Sequence, residues 1–187
     1  VVGARARHTS AAAAPAPGDW YGVVLGPTGH LFLHQATLEY PLLGVSGREL
    51  LFPLDVEDTR ILQAGQCGIC LEEIQEPVTL LGVEIAGAGR EGIRITGPAP
   101  VRVRNARLIG NGGRGLERSG GYLECLGSEF ADNGSALANG ANLVLGSQVF
   151  GRVANNQFRG EVGIRCEQCE DVLIEQNRLF GHRLGLH

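Results

Sequence analysis

Two Cys-x-x-Cys motifs are the first residues of this chain with recognisable chemistry: CGIC at 67–70 and CEQC at 166–169, with Cys125 alone between them. Four thiolates in two such pairs have the composition of a structural zinc site, and either pair alone can be oxidised to a local disulfide. A second group is acidic. Asp55, Glu57 and Asp58 lie together, and His34 beside such a carboxylate can act as an acid/base pair on a glycosidic substrate. A third group is cationic: Arg102, Arg104 and Arg107 punctuate VRVRNARL (101–108), with Arg90 and Arg94 upstream, a stripe suited to a polyanion. Trp20 and Tyr21 form an aromatic pair able to stack on a sugar ring. Which of these residues meet depends on the elements that carry them.

A chain of 187 residues can bury one sizeable core and reads as a single domain over 1–187. Its 29 glycines and 43% apolar content fit a turn-rich globular protein rather than a disordered one. No run of about 18 apolar residues occurs, so no membrane span is expected. The net charge of −4 argues against a nucleic-acid partner. All 16 basic residues are arginine, and methionine is absent. Without an initiator Met, and with a repeat that stops in mid-pattern, the chain is expected to be a segment of a longer protein, so a targeting signal can lie upstream.

The repeat is the strongest signal. Glycine followed by apolar–x–apolar begins at Gly22, Gly44, Gly68, Gly92, Gly115, Gly140, Gly163 and, truncated, at Gly185. Successive intervals are 22, 24, 24, 23, 25, 23 and 22 residues, although copies such as GVSG and GLER have a glycine or a charge at the last apolar place. A second pattern follows each glycine: apolar–x–apolar, a small or polar pair, then x–apolar. LFLHQATL (31–38), LDVEDTRI (54–61), VRVRNARL (101–108) and VLIEQNRL (172–179) are examples. Period-2 alternation marks half-buried strands and the small pair marks a bend, giving about three short strands per repeat. No single repeat can bury its inward side chains, but coils stacked at roughly 4.8 Å align them into one core. The pattern therefore predicts an all-β parallel solenoid of about seven coils, each of 22–25 residues. Glycine-rich bends such as GNGG (110–113) and DNGS (132–135) fit left-handed backbone, and Asn105, Asn155, Asn156 and Asn177 are expected to stack at the bend after the second strand. Related places there hold Gln35, Asp58, Gly82, Gly127 and Gln176. SAAAAPAPG (10–18) is expected to be a loop between coils, and VVGARARH before it to supply strands of an earlier one.

This repeat resembles the right-handed parallel β-helix of pectate-lyase-like and bacterial surface proteins, over residues 18 to 187; HTSAAAAPAPGDWYGVVL (8–25) is similar to a segment that leads into the first coil of such proteins. The resemblance implies a secreted or cell-surface setting. It selects no activity, because the fold hosts lyases, hydrolases, adhesins and scaffolds alike.

The coil register then sorts the candidates. Outward columns read Phe32, Asp55, Thr79, Arg102, Glu124, Arg152, Leu173 on the second strand and Thr37, Arg60, Glu84, Arg107, Glu129, Gln157, Arg178 on the third. After the glycine the column reads Val24, Ser46, Cys70, Arg94, Glu117, Asn142, Arg165. The arginines thus become rungs of a charge-compensated surface, with no carboxylate assigned to Arg104 or Arg90. The two cysteine pairs fall four coils apart, about 19 Å at sheet spacing, too far for one metal. Residues i and i+3 of an extended strand diverge beyond disulfide distance, so strand positions for Cys70 and Cys166 argue against both bridges; Cys166–Cys169 is better placed, because Cys169 begins a turn. The redox state of Cys67, Cys70, Cys166 and Cys169 stays open, and Cys125, at an apolar place, reads as a small buried hydrophobe. His34 lies one coil below Glu57, a pair that reads equally as a surface ion pair. His8, His30, His182 and His187 are scattered, and neither a metal nor a cofactor is expected.

A non-catalytic scaffold or glycan-binding module is the expectation that follows, with Trp20, Arg94 and Arg104 as candidate ligand contacts. A polysaccharide lyase or hydrolase using His34, Asp55 and Glu57 is the alternative. End-to-end stacking through unpaired strand edges, or flanking coils of a parent chain, is a third.

Overall fold

A computed structural model describes residues 6–134, 140–181 and 183–186. Among them the chain forms twenty-three strands and no helix, so no helix is long and apolar enough to cross a membrane. The strands assemble into three parallel sheets of eight, seven and eight strands. Each coil contributes one strand to each sheet, as in Ile93–Thr96, Val101–Arg104 and Arg107–Ile109. The first sheet runs from Val23–Leu25 to Leu184–Leu186, the second from Leu31–His34 to Val172–Glu175, and the third from Arg7–His8 to Arg178–Phe180. About seven coils are stacked in this way, as the repeat predicts.

Alternation in the sequence becomes alternation in burial. Val101 and Val103 are fully buried while Arg102 and Arg104 are exposed. One inward column of the second sheet reads Leu33, Val56, Leu80, Val103, Cys125, Val153 in unbroken register. In the third sheet Phe130 and Phe158 lie one coil apart with rings stacked at 4.8 Å. Cys125 is buried as expected, and burial pushes its thiol up to about 12.

The repeat's glycine is needed for close approach. A Cβ at Gly68 would lie 2.4 Å from the Ile85 side chain and 2.6 Å from the Gly92 carbonyl oxygen of the next coil. At this corner two successive amides point the same way: Gly68 N–H donates to Glu91 O at 3.1 Å and Ile69 N–H to Gly92 O at 2.9 Å. In a straight strand successive amides alternate, so the chain turns here within Cys67–Glu72. The GANL copy is misaligned by two residues: Leu143 pairs with Leu116, which puts Asn142 in the glycine place and Val144, not Asn142, in the outward column. Leu143 and Leu145 alternate equally well in either frame, and Gly140 lies instead against Gly134.

The bends use a left-handed residue followed by an inward one. Gln35, Asp58, Gly82, Asn105, Gly127, Asn155 and Gln176 all have φ between 46° and 62°. Asn105 and Asn155 are thereby turned out to solvent, and the stacking expected of them falls to Asn156 and Asn177 alone. Asn156 donates from Nδ2 to Asn177 Oδ1 at 3.0 Å, while its Oδ1 accepts the Ser128 amide at 2.8 Å. A second ladder, unforeseen, runs through Asn111, Asn133 and Asn142 after the third sheet, with Nδ2-to-Oδ1 bonds of 2.8 Å at both steps.

Residues 11–17 of the Ala/Pro segment are exposed. Asp19 fastens them: its carboxylate accepts from Ser10 Oγ at 2.6 Å and from the Ala16 amide at 2.9 Å. Arg7–His8 pairs with Thr37–Leu38, a piece of a preceding coil, while residues 1–5 lie outside the described residues. His182 and His187 lie outside them as well.

Candidate functional site

The cysteine pairs, whose redox state the sequence leaves open, are both disulfides, Cys67–Cys70 and Cys166–Cys169, with Cα–Cα distances of 6.0 and 5.6 Å. The objection from extended strands fails because neither segment is extended. The corner at Gly68 folds the first pair together, and Gln168, at φ 63°, turns the second. The pairs remain four coils apart through Cys70, Arg94, Glu117, Val144 and Arg165. Among the described residues no three His, Cys, Asp or Glu side chains converge to hold a metal ion.

The Cys67–Cys70 bridge lies in a groove of about 350 Å³ on the outer face of the first sheet, across its strands from Val23–Leu25 to Ile93–Thr96. Val24, Leu25, Leu43 and the disulfide provide apolar surface; Arg48, Glu72, Arg90, Glu91 and Arg94 supply charge. Arg94 forms an ion pair with Glu72 on the coil before it. Arg90 approaches Glu91 at 3.7 Å, and the Glu91 side chain is only 6% exposed. The partner expected for Arg94 by register, Glu117, is instead held by Arg114 three residues before it. Arg48 leaves the groove for Glu73 at 3.1 Å, and that carboxylate raises its pKa above the ordinary arginine value.

The other arginines settle differently from their register assignments. Arg102 stands level with Glu124, yet Arg104, without an assigned partner from sequence, takes that carboxylate with Nε at 2.9 Å and a terminal guanidinium nitrogen at 2.5 Å. A long side chain reaches the diagonal neighbour as easily as the direct one. Arg90, also without an assigned partner, has Glu91. On the third sheet the alternating column is a true zipper: Arg60–Glu84 at 2.9 Å, Glu84–Arg107 at 3.4 Å and Arg107–Glu129 at 3.1 Å.

His34, Asp55 and Glu57 stand on the outward face of the second sheet, Asp55 and Glu57 two residues apart on Leu54–Glu57. His34 is level with Glu57, but its Nε2 approaches Asp58 Oδ2 at 3.8 Å, with the two side chains 37% and 60% exposed. Asp58 is the left-handed bend residue, and its carboxylate lies between His34 of the preceding coil and Gly82 of the next. Asp55 is level with Phe32 and Thr79. Trp20 packs against the core and donates from Nε1 to Glu39 O at 2.7 Å, while Tyr21 is 60% exposed.

Arg118 was legible only as a defect in the repeat. It replaces an inward residue of the first sheet, between Ile95 and Leu145, and is fully buried. Its guanidinium donates to the carbonyls of Ile95 at 3.3 Å, Ser119 at 3.1 Å, Gly97 at 2.8 Å and Ala99 at 2.7 Å. Burial pulls its pKa down to about 10.

Of the candidate ligand contacts, the groove therefore gathers Arg94, while Trp20 packs against the core and Arg104 stands on the second sheet. Comparison of the chain with protein-family models, with curated proteins and with solved structures finds no match.

Proposed function

We propose that this solenoid is a non-catalytic binding scaffold for glycans in a secreted or cell-surface protein, using the groove on the first sheet. What supports the reading is the composition of that groove: apolar surface from Val24, Leu25 and Leu43 beside the guanidiniums of Arg90 and Arg94 and the carboxylates of Glu72 and Glu91. Apolar floors accept the C–H faces of sugar rings, and a few fixed polar groups orient hydroxyls and acidic substituents. Two disulfides suit an oxidising compartment. A bacterial origin and a right-handed, pectate-lyase-like ancestry belong to this reading through the sequence resemblance. Glycan-array binding followed by calorimetry tests it. Arg94→Ala is expected to weaken the best glycan ligand about tenfold, the loss of one charge-assisted contact worth ~1.4 kcal/mol. Absence of binding to any glycan overturns the proposal.

The His34–Asp58 approach favours one second reading, a lyase or hydrolase on the second sheet. Glycan cleavage abolished by His34→Ala would install it in place of the first.

A further inference from the structure

We propose that Cys67–Cys70 is a site of reversible thiol–disulfide exchange, attacked at Cys70 by a low-molecular-weight thiol entering the first-sheet groove. The inference is independent of glycan binding. Three observations carry it.

The bridge is asymmetric. Cys70 belongs to the outward column, between Ser46 and Arg94 on the adjoining coils, and is partly exposed. Cys67 lines the same groove but is only 2% exposed. Exchange requires access to one sulfur, and Cys70 is the more exposed residue of the pair.

The fold does not depend on the bridge. It joins residues only three apart, so closing that loop removes little entropy from the unfolded chain. The corner it crosses is already held by backbone bonds: Gln66 N–H to Leu42 O at 2.9 Å, Gly68 N–H to Glu91 O at 3.1 Å and Ile69 N–H to Gly92 O at 2.9 Å. Reduction leaves all three in place, and the strand stays paired with both neighbouring coils.

The surroundings suit the reaction. The groove of about 350 Å³ admits a small thiol, and Arg94, level with Cys70 and paired with Glu72, gives it a polar wall on which a charged thiol can be held. Cys166–Cys169 is not asymmetric in this way: both residues are partly exposed, Cys166 level with Leu145 and Cys169 packed beside the core.

The chemistry balances as follows. An external thiolate attacks the Cys70 sulfur; the new S–S bond forms as the Cys67–Cys70 bond breaks, and the electron pair leaves on Cys67, which takes a proton from water. A second external thiolate attacks the external sulfur of the mixed disulfide and frees Cys70. Two thiols are oxidised to one disulfide, and the protein's disulfide is reduced to two thiols.

Glutathione is the probe. The folded protein is held in buffers of reduced and oxidised glutathione, acid-quenched, alkylated with iodoacetamide and digested with trypsin. Cleavage after Arg60 and Arg90 isolates Cys67 and Cys70 in one peptide, separate from Cys125 and from Cys166 and Cys169. Two alkyl groups on that peptide while the far-ultraviolet sheet signal is intact is the expected result; labels that appear only as the sheet signal is lost overturn the proposal. The mixed disulfide locates the attack. After brief exposure to reduced glutathione and an acid quench, glutathione is expected on Cys70 at least about tenfold more often than on Cys67, read by fragmenting that peptide in the mass spectrometer. Equal occupancy, or glutathione chiefly on Cys67, overturns the assignment of Cys70 as the attacked sulfur.

Discussion

Arg118 occupies a column whose neighbouring coils supply Leu71, Ile95 and Leu145. A guanidinium in such a place has lost its water, which is why its pKa falls to about 10, and no carboxylate compensates it. Four carbonyl dipoles do so instead. Two of them, Gly97 O and Ala99 O, belong to the corner between the first and second sheets, where no strand partner reaches them. The side chain is therefore the hydrogen-bond donor that allows this corner to be buried. Arg118→Ala leaves those carbonyls unsatisfied and opens a cavity, so a loss of about 3–5 kcal/mol is expected, measured as a shift of the denaturant midpoint at unchanged slope. Arg118→Lys keeps the charge but cannot span the fork, and a loss of roughly 1–3 kcal/mol is expected for the orphaned carbonyls. The sequence shows Arg118 only as the wrong residue at an apolar place in GLER. Which carbonyls it serves is invisible there, because three of the four come from residues 19 to 23 positions earlier.

Bends and corners show the same division at the scale of elements. The strand pattern, the period and two outward columns are legible because they follow from alternation, which is local. The polar pair at each bend is legible too, but not which member faces in. The first member takes the left-handed conformation and points outward, so Asn105 is exposed, while the second sits over the core, so Asn156 and Asn133 are buried. Asn111 and Asn133 are 22 residues apart, the period of the repeat, a signal hidden by the glycines around them. The turn at Gly68 that allows the disulfide is hidden for a related reason: apolar alternation continues across the corner. These differences are measurable. Asn133→Ala removes the acceptor of two Asn111 donors and the donor to Leu108 O, and a loss of about 2–4 kcal/mol is expected from buried groups costing roughly 1–3 each. Asn105→Gly suits the left-handed bend and loses no buried bond, so a change within about 0.5 kcal/mol is expected from the same unfolding experiment.

Across the whole molecule two systems run the length of the stack, an apolar core inside and charge ladders outside, and their magnitudes decide which holds the coils together. The ladders are conspicuous, but most of their side chains are half exposed: Arg107 at 52% and Glu129 at 44% are representative. Exposed pairs contribute about 0–1 kcal/mol each, and 1 M salt shortens the screening length to roughly 3 Å. The core acts differently. Leu80 is fully buried between Val56 and Val103 of the adjoining coils, and each coil is supported only by its neighbours. A cavity there weakens two interfaces at once, and no solvent condition screens it. Raising NaCl to about 1 M is therefore expected to lower unfolding free energy by no more than ~1–2 kcal/mol for the whole set of ladders. Leu80→Ala alone is expected to lower it by about 2–5 kcal/mol. Urea titrations of wild type with and without salt, beside Leu80→Ala, compare the two directly, urea being uncharged and leaving the ionic strength under control. A salt effect exceeding the Leu80→Ala loss would mean that the arginine–glutamate ladders, rather than the aligned Val, Ile and Leu columns, carry the stacking.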